Sequence, residues 1–238
     1  MIKKHCTYLL LILFLLACRT HEEDRIISVY PLDEFHTVQF NSSFDILLME
    51  DSVFAIEIDA PESVFKHIDF KIEEGILSLT NTKRLKWTAP KNSSTKLLVR
   101  SKPLKLVEVN ESCNIKNLNP ITSEEFGLVL GSKANNADLM LNCNTFYYWN
   151  NFPSGGRLKL SGNSKTLKLW NTAIMSVDAR ELLCEFALVE NSSQGNCVVN
   201  VSRQLEYKIE NVGDIHLYGK PDIIESKGST ASGKLIIF

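Results

Sequence analysis

Four asparagines recur at intervals of twenty residues in the second half of the chain: Asn151, Asn171, Asn191 and Asn211. The positions two and four residues before each asparagine are all apolar: Tyr147 and Trp149, Leu167 and Leu169, Ala187 and Val189, Tyr207 and Ile209. The residues between them are mixed. Apolar alternation with period two predicts strands that have one buried face, and its return at a fixed interval predicts one such strand in each structural repeat.

This pattern predicts an all-β solenoid, built from parallel strands with one coil about every twenty residues. No stretch of the chain shows sustained helical periodicity, so we expect short turns rather than helices between the strands. We expect the asparagines to stack at an inner turn of the coil. There their side chains would hydrogen-bond to each other and to the backbone groups that the bend leaves without partners.

The same alignment predicts a candidate binding patch on the outside of the solenoid. If Leu167 and Leu169 point inward, Trp170 points outward, and the alignment places four more apolar side chains on that outer face: Phe146, Tyr148, Phe186 and Leu188. An exposed apolar patch of this size indicates a partner, a ligand or a covering segment of the same chain. Three occupants remain open at this point: residues 34–100, a protein, or the sugar rings of a glycan.

The N-terminus reads as an export signal rather than as part of the fold. Lys3 and Lys4 precede an apolar run that is too short to span a bilayer and ends in Leu15-Leu16-Ala17-Cys18. This ending resembles a bacterial lipobox, so we predict a signal peptide over residues 1–17 and lipidation of Cys18. Residues 18–33 are then a lipidated tether. Arg19 follows the cysteine instead of the aspartate of an inner-membrane retention signal, which favours the outer membrane, on its periplasmic or its outer side.

The remainder divides into two regions. Residues 34–100 are strand-rich, with a hairpin turn predicted at "EEG" (residues 73–75), and residues 101–238 hold the coils. Four cysteines lie beyond the signal and the lipidation site: Cys113, Cys143, Cys184 and Cys197. An oxidising compartment allows disulfides between them, but the chain is long enough to need none, and free buried thiols are the favoured prediction.

Several segments resemble one family: "FDILLMEDS", "IEEGILSL", "LKLVEVNES", "IHLYGKP" and "SGKLIIF", in this order. The most specific are Tyr218-Gly219-x-Pro221 and Glu74-Gly75-Ile76-Leu77. Over residues 35–238 the chain resembles the family described as "Putative auto-transporter adhesin, head GIN domain". The resemblance implies a right-handed parallel β-helix in a lipoprotein or secreted protein of the Bacteroidota, and it brings no catalytic residues with it.

Two classes of function follow from these observations. The first is a non-enzymatic, lipid-anchored envelope protein, an adhesin or binding module, whose β-helix surface binds glycans or envelope or host proteins. The alternative is a carbohydrate-active enzyme, a lyase or hydrolase, on a β-helical scaffold. The net charge of -2 does not favour a nucleic-acid partner. The histidines and cysteines show no metal-ligand spacing and no cofactor fingerprint appears, so neither a metal nor a cofactor is expected.

Overall fold

The computed structural model describes residues 23–84, 94–131, 133–151, 153–229 and 231–238, and in these ranges the chain is almost wholly extended. The strands are β1 (Arg25–Pro31), β2 (Thr37–Phe40), β3 (Asp45–Glu50), β4 (Ala55–Pro61), β5 (Ile68–Glu73), β6 (Ile76–Asn81), β7 (Lys96–Ser101), β8 (Leu106–Val109), β9 (Asn114–Asn117), β10 (Glu125–Leu130), β11 (Lys133–Asn150), β12 (Ser154–Ser193), β13 (Cys197–Ile209), β14 (Ile215–Tyr218), β15 (Ile223–Ser229) and β16 (Leu235–Ile237). Within the described ranges the one helix is α1 (Glu62–Phe65).

Successive coils of the chain stack on one another in parallel register. Phe126 pairs with Phe146, and Phe146 pairs with Leu167, so the coil advances by 20 residues and then by 21. The result is a β-solenoid of about 6 turns with coils of about 21 residues. The predicted solenoid is confirmed. Strands β11 and β12 are long because parallel pairing continues around the corners of the coil.

Two long faces run along the solenoid. Face 1 is formed by β6, β2, β8 and β10, followed by residues 145–150, 166–171, 186–191 and 204–209, and then by β15. Face 2 is formed by β7, β3 and β9, followed by residues 136–138, 157–159, 177–179 and 197–200, and then by β14 and β16. The inward side chains of both faces pack into one hydrophobic core that runs the length of the solenoid.

The N-terminal end of the solenoid is closed by strands that run against the others. Strand β5 pairs antiparallel with β6, β4 pairs antiparallel with β7, and β1 pairs antiparallel with β4. The predicted tether over residues 18–33 is therefore wrong for Arg25–Pro31, which form β1 in this cap. The period-two alternation of "RIISVYP" is the sequence signal for that strand. Cys18 and the predicted signal peptide lie outside the described residues.

The spatial order of the first coils differs from their order in the chain. Val38 of β2 pairs with Leu77 of β6 on one side and with Val107 of β8 on the other. The coil made by β2 and β3 is thus inserted between two coils that follow it in sequence. The described residues of the predicted N-terminal region, 34–84 and 94–100, therefore supply coils and capping strands to the same sheet and core as the rest of the solenoid.

The hairpin predicted at "EEG" joins β5 to β6. Glu74 and Gly75 both have positive φ, 51° and 74°, as a two-residue type I′ turn requires. A side chain at position 75 would lie 2.8 Å from the His36 ring, so both the backbone angle and the space favour glycine.

A column of buried asparagines stands at one corner of the coil, as predicted, but two of its members differ. Trp149 pairs with Trp170, which aligns Asn150, not Asn151, with Asn171. Asn150 is buried and Asn151 is exposed. At the other end of the column Ile209 pairs with Asn191, because that coil advances by only 18 residues, so Asn211 falls outside the column.

The hydrogen bonding predicted for the column is confirmed at its two central members. Asn171 Nδ2 donates to Asn191 Oδ1 over 3.1 Å and to the carbonyl of Met175 over 2.9 Å. Asn191 Nδ2 donates to the carbonyls of Gly195 and Gly213 over 3.1 and 3.0 Å. These bonds satisfy carbonyl groups that the sharp corner would otherwise leave buried without donors.

Cys113, Cys143, Cys184 and Cys197 are all free and buried, so the favoured prediction of free buried thiols is confirmed for these four. Burial raises the pKa of Cys113, Cys184 and Cys197 to about 12. These thiols fill the core as small apolar groups and are poor nucleophiles at neutral pH. No helix in the described ranges has the length and apolar character needed to cross a bilayer.

Candidate functional site

Two residues of the predicted outer patch lie inside the solenoid. Phe146 and Tyr148 are both 0% exposed and pack in the core. The coil from Tyr148 to Leu169 spans 21 residues, not 20, and because side chains alternate between the two faces of a strand, this slip of one residue exchanges inside and outside. The prediction that Phe146 and Tyr148 face outward is wrong, and so is the prediction that Tyr147 and Trp149 face inward.

The aromatic surface on the outside of face 1 consists of Tyr147, Trp149, Trp170, Phe186 and Leu188. Trp149 is 49% exposed, and the other four are partly exposed. Trp149 and Trp170 are direct neighbours in register, one coil apart, at the strand spacing of about 4.8 Å. The structure thus keeps Trp170, Phe186 and Leu188 of the predicted patch on the outer face, and adds two aromatic residues that the alignment had placed inside.

A repeated dipeptide in the sequence indicates the correct alignment of these two coils. Trp149-Asn150 and Trp170-Asn171 are the same pair of residues, 21 positions apart. Aligning these dipeptides places both tryptophans outside and both asparagines at the buried corner, as in the structure. A search with a fixed interval of twenty residues passes over this signal.

Gly127 has no side chain and so leaves room for the ring of Tyr147. The two residues pair across adjacent coils, and a side chain at position 127 would lie 2.1 Å from the tyrosine ring. The ring therefore packs over the backbone of β10 at Gly127. Burial raises the pKa of Tyr147, and the nearby carboxylates of Glu125 and Glu108 raise it further. The Tyr147 ring in this way extends the aromatic surface over the neighbouring coil at β10, toward the N-terminal end of the solenoid.

Charged side chains border the aromatic surface in the coils that follow it. Glu190 pairs with Lys208, and Lys208 Nζ lies 2.5 Å from Glu210 Oε1. A hydrogen bond from Lys208 and a second from Ser192 lower the pKa of Glu210. The three charged residues form a solvated polar rim, as alternating charges on an outer strand face do.

Face 2 carries a groove of about 670 Å³ on its outside. Its polar lining consists of Asp45, Lys96, Asn114, Lys116, Asn136, Asp138, Arg157 and Lys159. Several of these side chains are bound to one another or to neighbours. Asn114 Nδ2 donates to Asp45 Oδ1 over 2.8 Å, and Arg157 forms an ion pair of 2.8 Å with Asp178. Positive and negative side chains therefore alternate along the groove, and it does not present charge of a single sign.

The shifted carboxyl groups of the described chain are held in their charged form. Burial alone would raise the pKa of Asp178, but hydrogen bonds from the Arg180 backbone and the Arg157 side chain outweigh it and lower that pKa. Hydrogen bonds from Arg100 and Ser52 likewise lower the pKa of Asp51. A general acid of a glycosidase needs the opposite shift. Among the described residues no group of three histidine, cysteine, aspartate or glutamate side chains could hold a metal ion.

A family model described as "Putative auto-transporter adhesin, head GIN domain" matches residues 34–221. The chain belongs to this head GIN family. The match covers the capping strands β4 and β5 and the coils that carry the aromatic surface, whereas β1 precedes it. Among curated proteins no match was found.

Solved structures share this solenoid at low sequence identity. A structure described as a putative adhesin from Bacteroides fragilis has a TM-score of 0.81 at 16% identity, covering 91% of this chain and 98% of that one. One described as a putative lipid binding protein from Parabacteroides distasonis has a TM-score of 0.65 at 16% identity, covering 90% and 97%. A putative adhesin from Parabacteroides merdae has a TM-score of 0.61 at 14% identity, covering 90% and 96%. At such identities the likeness establishes the head GIN fold.

Proposed function

We propose that this head GIN protein is a lipid-anchored, non-enzymatic protein of the cell envelope that binds its partner through the aromatic surface. One observation carries the proposal: Tyr147, Trp149, Trp170, Phe186 and Leu188 all lie, at least partly exposed, on the outside of face 1 within three coils of the solenoid. The described part of residues 34–100 does not support the predicted cover, because residues 34–84 and 94–100 form coils and capping strands at the N-terminal end.

The partner class that fits this surface best is a glycan. A row of aromatic rings offers an apolar platform, and the adjacent polar side chains offer hydrogen bonds: Lys168, beside Tyr147, can donate to a ligand, and Glu190 can accept from it. Sugar rings present the matching combination of an apolar ring face and peripheral hydroxyl groups. The described carboxyl groups with a shifted pKa are held in their charged form, which favours binding of such a ligand over acid-catalysed cleavage.

The position of β1 supports the proposed anchor. Cys18 precedes Arg25, the first residue of β1, by seven residues, and a fully extended chain of that length reaches about 25 Å. A lipid on Cys18 would hold the N-terminal cap near the outer membrane. Face 1 then rises from the membrane with its aromatic surface several coils above the cap.

The proposed function is tested on a glycan array with purified residues 19–238 and the Trp149→Ala/Trp170→Ala double variant. We expect the parent protein to bind a subset of glycans and the double variant to lose at least about tenfold in affinity, since stacking on two exposed rings is removed. A Lys116→Ala variant on face 2 is the matched surface control and should bind like the parent.

The proposed lipid anchor is tested by fractionating cells that express the full chain and measuring the protein in the membrane and soluble fractions. Replacing Cys18 by Ser should move the protein from the membrane fraction to the soluble fraction, whereas the tryptophan variant should stay with the membrane. Glycan binding that persists in the tryptophan variant, or membrane association that persists without Cys18, contradicts the corresponding half of the proposal.

A further inference from the structure

The two ends of the solenoid are built differently. At the N-terminal end the core is covered by antiparallel strands and by a cluster of aromatic rings, in which Tyr30 contacts Phe70 and Phe35 contacts Phe54, each pair with ring centroids 5.2 Å apart. At the C-terminal end the last described strands are β15 and β16, which run parallel to the coil beneath them. No antiparallel strand covers them among the described residues.

The core is open to solvent at the C-terminal end. Ile224 is in register with Leu205, and Ile237 is in register with Leu217, so both isoleucines occupy inward positions of the coil. Their partners are 0% exposed, yet Ile224 is 42% exposed and Ile237 is 59% exposed. These side chains have the position of core residues, and no further coil packs against them within the part of the chain that the structure describes.

Strand β15 also presents an edge. It pairs with β13 along one side, and all seven of its residues are exposed. An unpaired strand edge beside exposed apolar side chains is a template for pairing with another strand. The structure thus offers both main-chain hydrogen bonds and apolar contacts to a partner at this end.

We propose that a second copy of this chain covers the C-terminal end, with β15 of one copy pairing antiparallel with β15 of the other about a twofold axis. Such a contact is isologous and closes on itself, so it produces a dimer rather than a filament. The two solenoids would then be stacked end to end, and their cores would meet at Ile224, Leu235 and Ile237.

The charges of β15 select one register for this pairing. A twofold axis normal to face 1 keeps the outward side chains of both copies on the same side of the joined sheet. Residues that lie opposite each other in the two strands must therefore both be outward or both be inward, which requires the axis to pass through a residue rather than between two residues. With the axis at Ser226, Glu225 of each copy lies opposite Lys227 of the other. With the axis at Glu225 or at Lys227, two like charges lie directly opposite each other, which is destabilising. Only the register centred on Ser226 makes β15 complementary to itself.

Strand β5 at the other end provides an internal comparison. It is also an edge strand, and it carries a Lys71–Glu73 ion pair of 2.7 Å with the same spacing as the Glu225–Lys227 pair of 2.7 Å. Its inward residues Phe70 and Ile72, however, pack against the core. If self-association requires exposed inward residues as well as a pair of opposite charges on the edge strand, we expect β15 to self-associate and β5 not to do so.

The test measures the mass of residues 19–238 by sedimentation velocity over a wide concentration range. We expect a monomer–dimer equilibrium for the parent protein. The E225K and K227E variants should each weaken self-association by about tenfold or more, because each places like charges opposite each other twice per dimer. The E73K variant on β5 is the matched control and should associate like the parent.

A mixture of the two variants separates interface effects from folding effects. E225K carries two positive charges on β15 and K227E carries two negative charges, so an equimolar mixture should form a heterodimer at concentrations where each variant alone is monomeric. A parent protein that stays monomeric overturns the proposal. So do a dimer that is insensitive to both variants, a mixture that fails to associate, or a loss of association in E73K.

Discussion

Replacing Leu169 by Asp is expected to lower the free energy of unfolding by at least about 4 kcal/mol, which is a large share of the roughly 5–15 kcal/mol that stabilises a typical domain. Leu169 is 0% exposed and lies in the middle of the core column of face 1, in register with Tyr148. The substitution removes apolar contacts and buries a carboxylate in an apolar layer without a cation to pair with it. Urea denaturation followed by circular dichroism measures the loss.

Lys168→Asp is the matched control for this substitution. Lys168 precedes Leu169 on the same strand and points to the outside of face 1. The same new side chain there should change the free energy of unfolding by less than about 1 kcal/mol. Equal losses from the two variants would contradict the assignment of inner and outer residues on this strand.

Asn191→Ala is expected to cost about 3 kcal/mol of stability. The Asn191 side chain is fully buried, donates to the carbonyls of Gly195 and Gly213, and accepts from Asn171 Nδ2 over 3.1 Å. Its removal leaves several buried polar groups without partners, and each such group costs about 1–3 kcal/mol. Urea denaturation measures this loss as well, with an unchanged dependence on urea concentration as evidence that the fold is retained.

The control for the asparagine column is Asn151→Ala. Asn151 is exposed next to the buried Asn150, so its side chain should contribute less than about 0.5 kcal/mol. A large loss at position 151 would restore the strict interval of twenty residues and contradict the register of the structure, in which Asn150 occupies the buried corner.

The fold class could be predicted from the sequence because the strongest signal in the chain is local and repeats. Apolar alternation before Asn171 and Asn191 is correctly placed, and Leu167, Leu169, Ala187 and Val189 are all buried as predicted. The cap could not be predicted in the same way. The β2–β3 coil is inserted between later coils through contacts between residues distant in sequence, such as Val38 with Leu77. No local sequence pattern predicts such an insertion.

The candidate surface was predicted only in part, because coil length varies. Coils advance by 21 residues between Trp149 and Trp170 but by 18 between Asn191 and Ile209. A strand has a side-chain period of two, so an error of one residue reverses which side chains are outside, whereas an error of two preserves it. The predicted faces are therefore wrong at Phe146 and Tyr148, while Ile209 is correctly predicted to point inward.

The central claim is that Trp149 faces solvent and Tyr148 faces the core, because the aromatic surface depends on it. Thiol labelling of residues 19–238 with a maleimide at neutral pH tests this claim directly. The four native thiols Cys113, Cys143, Cys184 and Cys197 are buried and the pKa of each is raised by burial, so the unmodified protein should label only after denaturation.

Against that background, a cysteine introduced by Trp149→Cys should react with the maleimide as fast as an exposed thiol. A cysteine introduced by Tyr148→Cys should stay protected in the native protein, with circular dichroism showing that the fold is retained. Rapid labelling at position 148 together with protection at position 149 in folded protein would contradict the account, since it would place the aromatic surface on the inside of the solenoid.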